Sequence, residues 1–104
     1  MIFRVGTLAA EEVKEAARRY GEVRPELGDD FLHAIEQAYH DIERDPHRFA
    51  RMESRRAIGD VRRILLWRFP YIVIYEVTET AIEVLAVAHT SRRPGYWLKR
   101  RHKP

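Results

Sequence analysis

The order of hydrophobic periods along this chain predicts an α+β fold, β-α-α-β-β-β, in which an antiparallel helical hairpin lies on a three-stranded antiparallel meander. Three observations carry that expectation. Two stretches in the first 45 residues repeat apolar side chains at helical spacing, three later runs are dense in β-branched and aromatic residues, and short breaker segments separate them. With 104 residues, 45% of them hydrophobic and 34% charged, the chain suffices for one core and one domain over residues 1–104.

Ile2-Phe3-Arg4-Val5 reads as a short strand. Thr7 is a plausible helix N-cap, with Glu11 and Glu12 near the positive end of the helix dipole, so the first helix is expected to begin near Leu8. Val13, Ala16, Ala17 and Tyr20 recur at i, i+3, i+4, i+7, and Gly21 is the expected C-terminal stop. Pro25 suits the first turn of a second helix, whose apolar stripe is Leu27, Phe31, Ile35, Ala38 and Ile42. Asp45-Pro46 ends it, since proline cannot extend the hydrogen-bond ladder.

Residues 46–60 show no period and carry Arg48, Arg51, Arg55 and Arg56, which reads as a basic loop. Val61 to Arg68 is strand-like, Phe69-Pro70-Tyr71 turns the chain, and Ile72 to Val77 forms the next strand. After a turn at Thr78-Glu79-Thr80, Ala81 to Ala88 is the last strand, and short links make the three antiparallel neighbours. Simple alternation puts Ile82, Val84, Ala86 and Ala88 toward the helices. Glu83, Leu85, Val87 and His89 then face the other way, leaving Leu85 and Val87 as an uncovered apolar strip suited to a partner chain.

Composition narrows the function classes. No apolar run approaches the length needed to cross a bilayer and no signal-peptide core is present, which predicts a cytoplasmic protein without membrane contact. The absence of cysteine removes disulfides and thiolate chemistry. The five histidines do not group with carboxylates at ligand spacing, so neither a metal nor another cofactor is expected. Charge is split along the chain: residues 1–45 carry a net −5 and residues 46–104 a net +8. Sixteen of the nineteen cations are arginine, whose planar fork suits phosphate and carboxylate, so the basic half could meet nucleic acid or an acidic protein.

The densest chemistry is the set Arg62, Arg63, His89, Arg92, Arg93 and Tyr96, with Trp97 beside it. RNA cleavage needs a base for the 2′-hydroxyl, an acid for the leaving oxygen and cations for the developing charge. His89 could act as acid or base, Arg63 and Arg92 could stabilise charge, and Tyr96 or Trp97 could stack a splayed base. The competing reading is that the arginines dock acidic groups of a partner, His89 is a satisfied strand-end histidine, and Tyr96 and Trp97 cap the core.

The order of elements, the Phe69-Pro70-Tyr71 turn and the ending His89-x-x-Arg92-Arg93-Pro94-x-Tyr96-Trp97 resemble the RelE/ParE superfamily of toxin–antitoxin toxins. That resemblance implies a RelE/ParE-like fold and a growth-inhibiting toxin neutralised by a cognate acidic antitoxin. It also implies repression of the pair's own operon through operator DNA, and a part in plasmid stabilization. Two targets divide the superfamily, DNA gyrase for ParE-like members and ribosome-bound mRNA for RelE-like nucleases. Arg63 and Tyr96 match the nuclease pattern, whereas Leu65, Ile72 and Thr90 stand where that pattern has cations. With the long helical hairpin, those departures favour the ParE-like reading and inhibition of gyrase. The alternative is a ribosome-dependent mRNA endonuclease using His89, Arg63, Arg92 and Tyr96. Arg62, Leu85, Val87, Arg93 and Trp97 are the candidates for contact with antitoxin or target.

Overall fold

The computed structural model describes residues 1–53 and 59–101. Arg55 and Arg56 of the basic loop, and His102, lie outside the described residues. The elements run β1 (Ile2–Val5), α1 (Thr7–Val23), α2 (Pro25–Arg44), β2 (Asp60–Leu65), β3 (Tyr71–Val77) and β4 (Ala81–His89), with a short 3-10 helix at Leu98–Arg100. One sheet of order β1-β4-β3-β2 carries the helical hairpin on one face. The meander is antiparallel as expected, and β1 joins its far side parallel to β4.

Gly6, not Thr7, is the N-cap of α1. Its N–H donates to the Val84 carbonyl at 2.9 Å, and a Cβ there would stand 3.0 Å from that oxygen. The chain thus leaves β1 while still in contact with β4, a passage that favours a residue without a side chain. Gly21 does not end α1, which continues to Val23. The hairpin crossing constrains Gly28 of α2 instead, where a Cβ would lie 2.9 Å from the Ala17 carbonyl and 3.2 Å from Gly21 Cα, whereas a Cβ on Gly21 would meet nothing within 4 Å. The helix backbones meet too closely for a larger residue at Gly28.

The second helix buries Phe31, Ile35, Ala38 and Ile42 of the stripe read from the sequence, and Leu27, its first member, packs partly buried against the same core. Tyr20, Phe31, Phe69 and Tyr71 form an aromatic cluster beneath the hairpin, with Phe31 5.2 Å from Phe69 and 5.1 Å from Tyr71, both edge-on. The Phe-Pro-Tyr turn therefore plugs the hairpin as well as reversing the chain.

Simple alternation fails in β4. Ile74 pairs with Ala86 but Tyr75 pairs with Val84, so Leu85 is an extra residue, a β-bulge. Beyond it each side chain changes face. Val87 joins Ile82 and Val84 in the helix-side core, while Leu85 and Ala86 join Val61 and Ile74 on the outer face. The outer face is also not bare: the C-terminal tail crosses it and seats Trp97, 3% exposed, on that cluster. Leu85 and Val87, each 2% exposed, form no uncovered strip.

Candidate functional site

Because the bulge turns Val87 and His89 toward α1, the end of β4 and the outer flank of that helix enclose an open groove of about 810 Å³. Val87, His89 and Arg92 line one wall, and Glu12, Glu15 and Arg19 the other. At the centre stands Glu12. One carboxylate oxygen accepts from the Val87 N–H at 3.1 Å and from Arg100 at 2.7 Å, and the other accepts from the Tyr96 hydroxyl at 2.5 Å. The guanidiniums of Arg92 and Arg100 lie over the Tyr96 ring at 3.9 and 5.0 Å. Burial and the bond to Glu12 raise the Tyr96 pKa above its ordinary value.

His89 is exposed and stands edge-on to Tyr71, with ring centroids 5.3 Å apart. Its Nδ1 accepts the Ser91 N–H at 3.0 Å and lies 2.7 Å from Ser91 Oγ. Accepting at Nδ1 leaves the proton of the neutral ring on Nε2.

The remaining candidates are dispersed. Arg63 pairs with Ile74, whose side chain lies under Trp97, so Arg63 projects from the outer face, across the sheet from His89. Arg62 points inward and is spent on structure, donating to Asp60 and to the carbonyls of His47 and Phe49, each at 2.8 Å. Arg93 is exposed in the turn after β4, and Trp97 is core. The structure thus gathers Arg92 and Tyr96 around Glu12, places His89 on the same groove, and leaves Arg63 elsewhere.

Sequence reasoning read Glu12 only as a partner of the helix dipole. A signal was present: Glu12 is three residues after Ala9 and four before Ala16, both fully buried, which sets a carboxylate in line with the core stripe. Such a carboxylate needs a partner. Arg100 supplies it, and Arg101 pairs likewise with Glu76 at 2.6 Å.

Among the described residues no group of three or more histidine or carboxylate side chains is placed to hold a metal, and no helix is long and apolar enough to cross a membrane.

Comparison with known proteins identifies the fold and the family. A search of curated proteins finds no match. A solved structure titled "Chromosomal ParDE TA system from P. aeruginosa" is similar in fold, with a TM-score of 0.73 and 20% identity over 86% of this chain and 95% of that one. Residues 4–94 match the family described as "ParE toxin of type II toxin-antitoxin system, parDE", and the chain therefore belongs to the ParE toxin family.

Proposed function

We propose that this ParE-family toxin arrests growth by binding DNA gyrase, and that a cognate acidic antitoxin neutralises it. The observation that carries this reading is the placement of Arg63 and His89 on opposite faces of the sheet. Cleavage of RNA requires its acid, base and charge-stabilising groups around one phosphate. Here the cations beside His89 are engaged by the Glu12 carboxylate, and the Tyr96 hydroxyl is already donated to it. A binding toxin has no need of that convergence.

The groove beside α1 is the seat this reading gives to the antitoxin. Leu8 and Val23, 49% and 71% exposed, stand near its ends as apolar anchors, and Arg19 offers charge to an acidic tail. A tail that folds on binding needs such extended contact to offset its ordering. In the same reading the toxin acts in the cytoplasm, and the pair represses its own operon through the antitoxin's grip on operator DNA.

The test is to induce the chain without its antitoxin and follow labelled thymidine and labelled amino acid, alongside a gyrase supercoiling assay with the purified protein. Thymidine incorporation is expected to fall first, and supercoiling to be blocked. Earlier loss of protein synthesis with cleaved mRNA would replace this reading by the ribosomal nuclease.

A further inference from the structure

The end of the sheet away from the Thr78–Thr80 turn displays a second surface. There the turn between β2 and β3 meets the loop after β4, the Thr90 N–H donating to the Pro70 carbonyl at 2.8 Å. Trp67, at the tip of that turn, is 77% exposed, whereas Trp97, the other tryptophan, is buried. An indole left in water is costly in hydrophobic terms. Arg68 follows it with φ +72°, a left-handed conformation unusual for a non-glycine residue, and its guanidinium lies 5.7 Å from the Trp67 ring centroid and 5.5 Å from that of Phe69. Asp30 of α2 anchors the same guanidinium at 3.4 Å.

The segments that form this end of the sheet, residues 63–72 and 89–96, contain Arg63, Arg68, Arg92 and Arg93 and not one carboxylate, a formal +4. From elsewhere in the fold Asp30 reaches Arg68 and Glu12 reaches Arg92. Arg63 and the 66%-exposed Leu65 lie on the outer face of β2 leading to the tip. Arg63 has no carboxylate partner among the described residues. The apolar surface amounts to one indole and one leucine set among guanidiniums. That is less than the broad apolar centre of a protein interface and matches a stacking platform flanked by phosphate ligands.

We infer that this end of the sheet binds single-stranded nucleic acid, an unpaired base stacking on Trp67 while Arg63, Arg68 and Arg93 hold the flanking phosphates. A single strand is specified because the faces of bases in a duplex are already stacked on their neighbours. The inference is independent of which target the toxin arrests.

The test titrates a fluorescein-labelled DNA strand, the same sequence as RNA, the corresponding duplex and polyglutamate into the purified full-length chain, following anisotropy and tryptophan emission. Since Trp97 is buried, quenching reports on Trp67, and Trp97 emission serves as the check that variants fold. Single strands are expected to bind best and to quench. Three phosphate contacts give a slope of log K against log salt of about −2. Trp67→Ala should weaken binding about 5- to 100-fold while Trp67→Phe retains most of it. The DNA and RNA arms show which strand is preferred. Absent binding, unchanged affinity in Trp67→Ala, unquenched emission, or a preference for duplex or polyglutamate would each overturn the inference.

Discussion

The Glu12 carboxylate and the Arg100 guanidinium meet at 2.7 Å where β1 has run out and β4 would otherwise have a bare edge. Glu12 accepts the Val87 N–H, and Arg100 donates to the Leu85 carbonyl at 3.2 Å. Between them the two side chains supply an acceptor and a donor such as a neighbouring strand would offer. Glu12→Ala removes the acceptor shared by a half-buried arginine, a tyrosine and a backbone N–H. It should cost about 2–4 kcal/mol, measured by urea unfolding, with Glu12→Gln intermediate.

Tyr96 sets an alkaline limit on stability. Its pKa is raised in the fold, first by burial and then by Glu12, so the neutral form is the one that folding favours. That stabilisation is complete below the unfolded value near 10 and is lost as pH rises through the folded value. Tyr75, pushed up to about 12 chiefly by burial, acts in the same direction and window. Unfolding free energy should therefore hold level up to about pH 10 and decline above it. Tyr96→Phe should lower the plateau by about 1–2 kcal/mol and flatten the decline, read from denaturant titrations across that range.

Tyr39 poses the opposite case. Its hydroxyl is buried with no hydrogen-bond partner among the described residues, and burial pushes its pKa up to about 12. Tyr39→Phe removes an unsatisfied polar atom while keeping the ring against Phe3 at 5.6 Å. The variant should be neutral or more stable by about 1 kcal/mol in thermal unfolding.

The hairpin crossing separates two glycines. Gly28→Ala forces a Cβ against the Ala17 carbonyl and the Gly21 backbone and should cost about 1–3 kcal/mol. A Cβ at Gly21 meets nothing within 4 Å, so Gly21→Ala should gain up to about 1 kcal/mol from helix propensity. Circular dichroism melts of the two variants give shifts of opposite sign.

For the proposed gyrase toxin, His89→Ala and Arg63→Ala should each leave growth arrest intact when induced without antitoxin. Loss of arrest in folded His89→Ala protein, scored by colony formation, would favour the nuclease.

Much of the fold was legible because its determinants are local. The step from Phe31 to Ile42 fixes which side of α2 is buried whatever lies against it, and Pro25 and Pro46 bound that helix through backbone chemistry alone. The family was legible for a similar reason: the Phe-Pro-Tyr turn and the His89 to Trp97 ending are contiguous in the chain. The candidate site was read less well. Its residues come from α1, the end of β4 and the tail, and their meeting depends on which face each presents.

The sequence by itself determined the element order, the buried stripe of α2, the antiparallel meander and the basic second half. Tertiary structure alone decided that the bulge at Leu85 turns Val87 and His89 to the helix side, that Arg63 stands across the sheet from them, and that Trp97 closes the outer face. A periodicity of two or 3.6 residues is set by each segment's own backbone. A bulge exists only in the pairing of two strands, and a tail covers a face only through ion pairs such as Arg100 with Glu12, 88 residues apart.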